Sequence, residues 1–321
     1  MLDGLGSVPS ALKGGVVAIG NFDGMHRGHQ TVLAAAKAKA DALGKPTIIL
    51  TFEPHPRDVF APEPFMFRLT PGRAKARLAE ALRLDGIAII TFSRELAAVE
   101  AKDFVQQFIV DALQASAVVV GADFHFGKGR KGSPEFLQSE GDRHGFDVIR
   151  LELLQSADDA ISSSRIRAAL NTGALDMAND LLGYHWIVEG TVVLGDQRGR
   201  ELGYPTANFA LPPNTLLAQG VYATRVRLGN RLLDGVASFG KPMFDIHHSP
   251  FEVHIFDFDE DIYGQALEVA LISHIRGQMT FDGLDELIAQ MDDDSVKAKQ
   301  LLAEVKPISP LDVDLGFIIG G

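Results

Sequence analysis

Residues 18–30, AIGNFDGMHRGHQ, decide how the first part of the chain folds. The apolar or small residues at 16–20 predict the end of a buried strand, and the Ala-rich run at 31–43 predicts a helix. A strand, a tight turn and a helix N-terminus make a place for phosphate, because free backbone N–H groups and the helix dipole point towards it. Gly28 has no side chain, so a nucleotide could lie close to the backbone there.

Two histidines, His26 and His29, stand near the start of this predicted helix. Their spacing of three residues allows both imidazoles to lie on one face of the first helical turn. Two exposed loop histidines, or half of a metal site, are alternative interpretations of the pair alone. The complete pattern GxFDGxHxGH favours nucleotide chemistry.

The composition limits the class of protein. The chain has 321 residues, 46% of them hydrophobic, which suits two ordinary domains, and zero cysteines exclude disulfides, thiolate catalysis and cysteine-ligated metals. The N-terminus lacks the features of a secretory signal, and no segment approaches the roughly 20 apolar residues of a membrane span. A net charge of −12 without a basic run disfavours a nucleic-acid partner. We expect a soluble cytoplasmic protein with no membrane partner, and the sequence carries no signal for its oligomeric state.

Strands alternate with helices in the first half, which predicts an α/β domain with a doubly wound, Rossmann-like parallel sheet. The predicted strands lie at 16–20, 47–52, 87–92, 117–120 and 148–154. The predicted helices lie at 31–43, 73–84, 101–113 and 162–171. From residue 184, short β-rich runs separated by Gly, Pro, Asn and Asp predict a small antiparallel β-barrel, followed by a helix at 284–304. We place the domain boundary between 183 and 184.

Two further stretches of the first half suit phosphate. Residues 121–132, GADFHFGKGRKG, form a glycine-rich loop with Asp123 and Lys128, and residues 161–167, ISSSRIR, predict a serine-capped helix. A flexible basic loop and an ordinary helix cap are the alternatives. After a buried strand, such a loop can fold over a triphosphate, and capped-helix N–H groups with arginines can hold phosphate. Three such strand ends in one sheet favour a nucleotide site.

The stretch 195–208, GDQRGRELGYPTAN, predicts another flexible cationic loop, with Arg198 and Arg200. A proline fixes the backbone before Thr206 and Asn208, whose hydroxyl and amide oxygens are ligands that Mg²⁺ takes alongside water and phosphate. A plain turn is the alternative, since Pro, Thr and Asn are common in turns.

Glu252 lies in an alternating stretch, PFEVHIFDF, in which Phe251, Val253 and Ile255 share the opposite face. It is a candidate general base if a substrate hydroxyl comes within hydrogen-bond reach, and a solvated strand carboxylate otherwise. The acidic run at 292–294 predicts a solvated helix face, and we assign it no role.

These motifs together resemble the bacterial bifunctional riboflavin kinase/FAD synthetase family over nearly the whole chain. The first half is similar to its adenylyltransferase half, of the HxGH nucleotidyltransferase superfamily, in GNFDGMHRGH, TFEPHP, VVVGADFHFGKGRKG and ISSSRIR. The second half is similar to its flavokinase half in RGRELGYPTANF, GVYA and FEVHIFDFDEDIYG. The resemblance implies phosphorylation of riboflavin to FMN and adenylylation of FMN to FAD, with riboflavin, FMN and ATP as small-molecule substrates and Mg²⁺ accompanying ATP.

The resemblance also implies a set of site residues in the first half. The implied catalytic residues, which stabilise charge on the ATP phosphates or contact them, are His26, His29 and Arg167. The implied ATP- and phosphate-binding residues are Asn21, Phe22, Asp23, Gly24, Gly28, Asp123, Lys128, Ser162 and Ser163.

In the second half the resemblance implies a kinase site. Glu252 matches the catalytic base, and Thr206 and Asn208 match the Mg²⁺ and ATP ligands. The implied phosphate-binding and flavin-binding residues are Gly195, Arg198, Arg200 and, for the flavin, Arg276.

The chain departs from the family pattern at 239–244, FGKPMF, where Lys241 and Met243 replace the usual Asn and Thr near the flavin site. An alternative function is therefore a monofunctional FMN adenylyltransferase whose second domain is a non-catalytic flavin-binding or regulatory module. The presence of Thr206 and Glu252 favours the two-step enzyme, because a binding module needs neither a metal ligand nor a base.

Overall fold

The computed structural model describes residues 2–3, 8–63, 65–152, 154–156, 159–195, 199, 202–240 and 249–318. The chain forms two compact units, Met1–Ser163 and Ser164–Gly321. The second unit thus begins upstream of the boundary expected at 183/184 and takes in the two helices that precede the barrel. Within the described ranges, no helix is both long and apolar enough to cross a membrane.

The described part of the first unit is built on a six-stranded sheet in which all neighbouring strands run parallel. Its strands are β1 (Leu2–Asp3), β2 (Val16–Ile19), β3 (Thr47–Glu53), β4 (Gly86–Thr91), β5 (Ala117–Gly121) and β6 (Asp147–Leu151). The strands lie side by side in the order β1-β4-β3-β2-β5-β6. After β2 the chain adds β3 and β4 on one side of β2, and then crosses back to add β5 and β6 on the other side. The sheet is doubly wound, as predicted, and its order reverses between β2 and β5, where such sheets bind ligands.

The helices of this unit follow the strands in the predicted order. They are α1 (Arg27–Leu43), α2 (Pro56–Val59), α3 (Gly72–Ala81), α4 (Arg94–Ala97), α5 (Ala101–Phe104), its continuation as a π-helix (Val105–Ala112), and α6 (Pro134–His144). A short antiparallel pair follows, β7 (Gln155–Ser156) and β8 (Asp159–Ala160). Helix α1 buries Leu33, Ala36 and Ala40 and packs on β2 and β5, which places its N-terminus at the reversal point.

Helix α7 (Ser163–Thr172) begins at the end of the first unit, and α8 (Leu175–Leu182) follows it. The described strands of the second unit are β9 (Ile187–Thr191), β10 (Ala207–Leu211), β11 (Gly220–Leu228), β12 (Arg231–Phe239), β13 (Ser249–Ile255) and β14 (Ala266–Gly277). They pair antiparallel in the order β10-β13-β12-β11-β14-β9. The outer strands approach each other, since the Val193 N–H donates to the Asn208 carbonyl at 2.7 Å. A Cβ at Gly190 would lie 2.2 Å from the Phe209 ring, so glycine permits this approach. The sheet is a nearly closed small barrel, as predicted.

The chain then forms the predicted long helix and a short one, α9 (Leu284–Glu304) and α10 (Pro310–Asp314). Two arginines of β11 bind carbonyl groups in the last turn of α9 and just after α10. Arg225 donates to the carbonyls of Leu302 at 2.9 Å and Phe317 at 3.1 Å. Arg227 donates to the carbonyl of Leu315 at 2.7 Å. These bonds fasten the C-terminal ends of the helices, and the segment after α10, to the barrel.

Asp312→Ala should destabilise the second unit by about 3 kcal/mol, because it removes one partner from a buried polar cluster. The buried Asp312 carboxylate accepts the backbone N–H groups of His185 at 3.1 Å and Ile308 at 3.0 Å, and pairs with the His185 ring at 2.8 Å. Calorimetry should show a lower melting temperature for this unit. Asp293→Ala, which removes an exposed carboxylate of α9, should melt like the wild type. Equal melting temperatures for both variants would contradict the prediction.

Candidate functional site

The turn after β2 leads the chain into α1 at the point where the sheet order reverses. Phe22, Gly24 and Met25 have positive φ values of 46°, 89° and 37°, a left-handed conformation that is uncommon for residues other than glycine. Phe22 and Met25 are buried, so packing holds them in this conformation. The backbone is thereby fixed directly in front of the α1 N-terminus, a position suited to phosphate.

His26 and His29 come together at the start of α1, as their spacing predicts. His26 is the N-cap residue, and its Nδ1 accepts the backbone N–H of His29 at 3.3 Å. The two rings stack with centroids 3.7 Å apart. Burial lowers the pKa of His29 well below its usual value of 6.5, and the charges of His26 and Lys75 lower it further. His29 is therefore neutral at pH 7, and its Nδ1 has no hydrogen-bond partner among the described residues.

Gly28 and Ser163 join the α1 N-terminus to the serine-rich motif. A Cβ at Gly28 would lie 3.2 Å from Nδ1 of His26, so glycine leaves room for the stacked rings. The Ser163 hydroxyl donates to the Asp23 carbonyl at 2.8 Å, which ties this motif to the turn. Of the other two residues predicted from the motif, Ser162 lies just before α7 in the first unit, and Arg167 lies about one turn into α7 in the second unit.

The Asp23 side chain points inward and holds the turn against the segment before α3. Asp23 is buried, and its Oδ1 accepts the backbone N–H groups of Leu69 and Thr70, both at 3.0 Å. The Thr70 hydroxyl in turn accepts the N–H of Gly24 at 2.8 Å. Asn21 is exposed at the start of the turn. The predicted ATP-binding residues of this stretch thus form one connected loop.

A buried ion-pair network beneath the turn is not apparent from the sequence. Lys75 of α3 is fully buried, and its Nζ lies 2.9 Å from Oε1 of Glu53, the last residue of β3. Arg68 forms two hydrogen bonds of 2.5 Å with the Glu53 carboxylate, and its Nε lies 3.6 Å from Oδ1 of Asp23. The signal in the sequence is a glutamate at the end of an apolar strand, in TFEPHP, but its two cationic partners come from residues farther along the chain.

Asp123 and Lys128 lie in the loop after β5. Because β2 and β5 are parallel neighbours, this loop and the turn after β2 leave the sheet at the same edge. Phe126 and Gly132 form an antiparallel bridge that closes the loop, and Nζ of Lys128 lies 3.3 Å from the Glu100 carboxylate in an exposed ion pair. The glycine-rich loop therefore has a defined shape. It leaves the sheet at the same edge as the turn between β2 and His26, which we call the histidine turn.

In the barrel, Asn208 of β10 and Glu252 of β13 lie directly opposite each other in the antiparallel register. Opposite residues of such a pair have neighbouring side chains on the same face. The Asn208 amide nitrogen donates to the Thr206 hydroxyl at 3.1 Å, and a Cβ at Gly195 would lie 2.7 Å from the amide carbon of Asn208. The structure thus brings together four of the predicted kinase residues: Gly195, Thr206, Asn208 and Glu252.

The alternation expected around Glu252 is confirmed. Phe251, Val253 and Ile255 are buried, whereas Glu252 is partly exposed. The plain-turn alternative is wrong for Asn208, which lies within strand β10.

Arg276, the predicted flavin contact, is bound to helix α9. Its guanidinium group makes three hydrogen bonds of 2.7–3.0 Å with the buried carboxylate of Asp294. The expectation of a solvated face at 292–294 is therefore wrong for Asp294. The Tyr204 hydroxyl, two residues before Thr206, donates to Asp292 of the same helix. Helix α9 thus contacts both Arg276 and the segment that leads into β10.

Several residues singled out in the sequence lie outside the described ranges. They are Arg198, Arg200, Lys241 and Met243.

Comparisons with known proteins match both halves. The family model described as FAD synthetase matches residues 8–165, and the one described as riboflavin kinase matches residues 182–302. The bifunctional riboflavin kinase/FMN adenylyltransferase of Escherichia coli strain K12 is 37% identical over 297 residues, which covers 92% of this chain and 95% of the relative. The protein of the same description from Haemophilus influenzae is 37% identical over 301 residues, covering 93% of this chain and 98% of the relative.

A solved structure from Streptococcus pneumoniae, described as a macrolide-efflux protein, has a TM-score of 0.83 at 30% identity and covers 95% of this chain and 100% of that one. Because its description differs from that of the curated relatives, we use it as evidence for the fold alone. The two family models match in succession, and the curated relatives align over nearly their whole length. The chain belongs to the family of bifunctional riboflavin kinase/FMN adenylyltransferases.

Proposed function

We propose that this chain makes FAD from riboflavin in two steps at two separate sites. The observation that carries the proposal is that the histidine turn lies at the sheet reversal of the first unit, whereas the Asn208–Glu252 pair lies in the barrel of the second. Residues 1–183 form the adenylyltransferase part and residues 184–321 the kinase part. The enzyme acts on small molecules in the cytoplasm, and its net charge of −12 argues against a nucleic-acid partner.

The kinase step takes place on the barrel. Glu252 accepts the proton of the terminal ribityl hydroxyl, whose oxygen attacks the γ-phosphorus of ATP, so that FMN forms and ADP leaves. The Thr206 hydroxyl and the Asn208 amide oxygen are neutral oxygen ligands of the kind that suit a Mg²⁺ ion accompanying ATP. The hydrogen bond between the Asn208 amide nitrogen and the Thr206 hydroxyl, and the pairing of Asn208 with Glu252, support this assignment. When bound, that ion neutralises phosphate charge. The remaining phosphate and flavin contacts are Gly195, Arg198, Arg200 and Arg276.

The adenylyl step takes place at the turn after β2. A phosphate oxygen of FMN attacks the α-phosphorus of a second ATP, pyrophosphate leaves, and FAD forms without a covalent enzyme intermediate. His26 and His29, with N–H groups at the start of α1, stabilise the charge that develops on the phosphates. The cationic side chains of Lys128 and Arg167 stabilise the leaving pyrophosphate.

A time course of products tests this function. The purified protein is incubated with riboflavin, ATP and Mg²⁺, and riboflavin, FMN and FAD are separated by chromatography. We expect FMN to appear before FAD. A parallel incubation contains FMN in place of riboflavin. If FAD forms from FMN but riboflavin gives no product, the second domain binds flavin without phosphorylating it. If neither riboflavin nor FMN gives a product, the proposal is refuted.

A further inference from the structure

Lys75 is unusual because its side chain has no contact with solvent. Its exposed fraction is 0%, although burying an ammonium group is costly unless it is paired and hydrogen-bonded. A lysine ammonium has three donors, and Lys75 has three acceptors within reach. They are the Asn21 carbonyl at 3.0 Å, Thr51 Oγ1 at 3.3 Å and Glu53 Oε1 at 2.9 Å.

These acceptors lie at the ends of two adjacent strands. Asn21 comes just after β2, whereas Thr51 and Glu53 are two residues apart in β3 and so face the same side of the sheet. The Thr51 hydroxyl also donates to the Asn21 carbonyl, at 2.9 Å. The first carbonyl of the histidine turn is thus fixed by two hydrogen bonds, and one of its donors is a buried cation.

The same network holds the turn at a second point. Glu53 joins Lys75 to Arg68, and Arg68 reaches Asp23, whose carboxylate binds the segment before α3. The two cations and two carboxylates balance in charge. Removing one member of such a buried set leaves an uncompensated charge beside the turn, which should move it.

We propose that Lys75 is a positioning residue for adenylyl transfer: it fixes the turn at 21–24 from beneath and so sets the rate of FAD formation without touching either substrate. This inference rests on the proposed function of the first unit. Burial and the His26 charge lower the pKa of His29, and the charge of Lys75 contributes in the same direction, so the network also acts on the electrostatics of the site. Among the described residues, the charged and titratable groups that lower the pKa of His29 are His26, the N-cap residue of α1, and Lys75 of α3.

The test variant is Lys75→Met, which keeps the length of the side chain and removes its charge and donors. We expect kcat for FAD formation from FMN and ATP to fall about 10- to 100-fold, since small misplacements of catalytic groups have effects of that size. The KM values should change less than kcat. Phosphorylation of riboflavin by the same preparation should be unchanged, which provides an internal control. Lys39→Met is the matched control, because Lys39 pairs with Asp147 at the surface of the same unit.

Two measurements separate positioning from a general loss of stability. Thr51→Val removes one donor to the Asn21 carbonyl without a change in charge or shape, and should lower kcat by a smaller factor; it decides the question if Lys75→Met does not fold. The pKa of His29, followed by nuclear magnetic resonance, should rise towards its usual value in Lys75→Met, because a like charge is removed. It should stay low in Lys39→Met.

The outcomes distinguish this inference from the function on which it rests. Wild-type kcat for FAD formation in folded Lys75→Met, or in Thr51→Val where Lys75→Met does not fold, would overturn the role of Lys75. A wild-type protein that makes no FAD from FMN and ATP would instead refute the proposed function.

Discussion

His29→Ala should stop the conversion of FMN to FAD while riboflavin is still phosphorylated, so that FMN accumulates. His29 lies at the start of α1 with its ring stacked on His26, and its Nδ1 has no hydrogen-bond partner among the described residues. In the proposed function this neutral imidazole stabilises charge on the phosphates. Loss of one group that stabilises developing charge costs about 100- to 1000-fold in rate. The measurement is a chromatographic time course of flavins from riboflavin and ATP.

The control for this variant is His144→Ala, which removes a histidine of α6 that pairs with Glu140. It should give the wild-type ratio of FMN to FAD. If FMN and FAD both disappeared in a folded His29→Ala protein, the two activities would share a site, and the assignment of separate sites would be wrong.

Glu252→Gln should have the opposite effect: riboflavin is no longer phosphorylated, but supplied FMN is still converted to FAD. Glutamine keeps the size of the side chain opposite Asn208 but cannot accept the proton of the ribityl hydroxyl. Loss of a general base costs about 100- to 10,000-fold. The rate of FMN formation is the measurement, and Glu260→Gln, which alters an exposed carboxylate paired with Arg231, is the control.

A mixture of the two variants provides a sharper version of both tests. Glu252→Gln lacks only the first step and His29→Ala only the second, so together they should make FAD from riboflavin by exchange of free FMN. FAD formation should begin after a lag in which FMN builds up. A mixture that makes FMN but no FAD, although Glu252→Gln alone converts added FMN, would show that FMN does not pass between molecules.

The architecture could largely be predicted because its signals are local. Runs of Val and Ile marked the buried parallel strands, and regular turn residues marked the barrel. Strand β10 has no comparable local signal, since its first residues follow a turn-rich stretch and its pairing with β13 depends on residues 38 to 46 positions away. Helix α1 begins at Arg27, before the predicted start at 31, because the His26 side chain caps it, a role usually filled by Ser, Thr, Asp or Asn.

In the candidate sites, too, contacts between residues close in sequence could be predicted, whereas contacts between distant residues could not. His26 and His29 come together through helical spacing alone, which a sequence displays directly. Lys75 and Asp294 look like ordinary charged residues of amphipathic helices, and only tertiary contacts bury them. Lys75 is enclosed by the ends of two strands, and Asp294 by Arg276 of the barrel. The partners of Lys75 and Asp294 in these contacts lie more than one helical turn away in the sequence, so the residues around each side chain do not indicate that it is buried.

The arginines of β11 also bear on how the protein is synthesised. A chain emerges from the ribosome N-terminus first, and its domains generally fold in that order. The parallel sheet is complete once β6 has emerged, whereas Arg225 and Arg227 must wait for the carbonyls of Leu302, Leu315 and Phe317. A nascent chain therefore has a finished adenylyltransferase sheet while its kinase barrel still lacks the covering helices. The kinase half, which acts first on riboflavin, is therefore the half that completes its folding last.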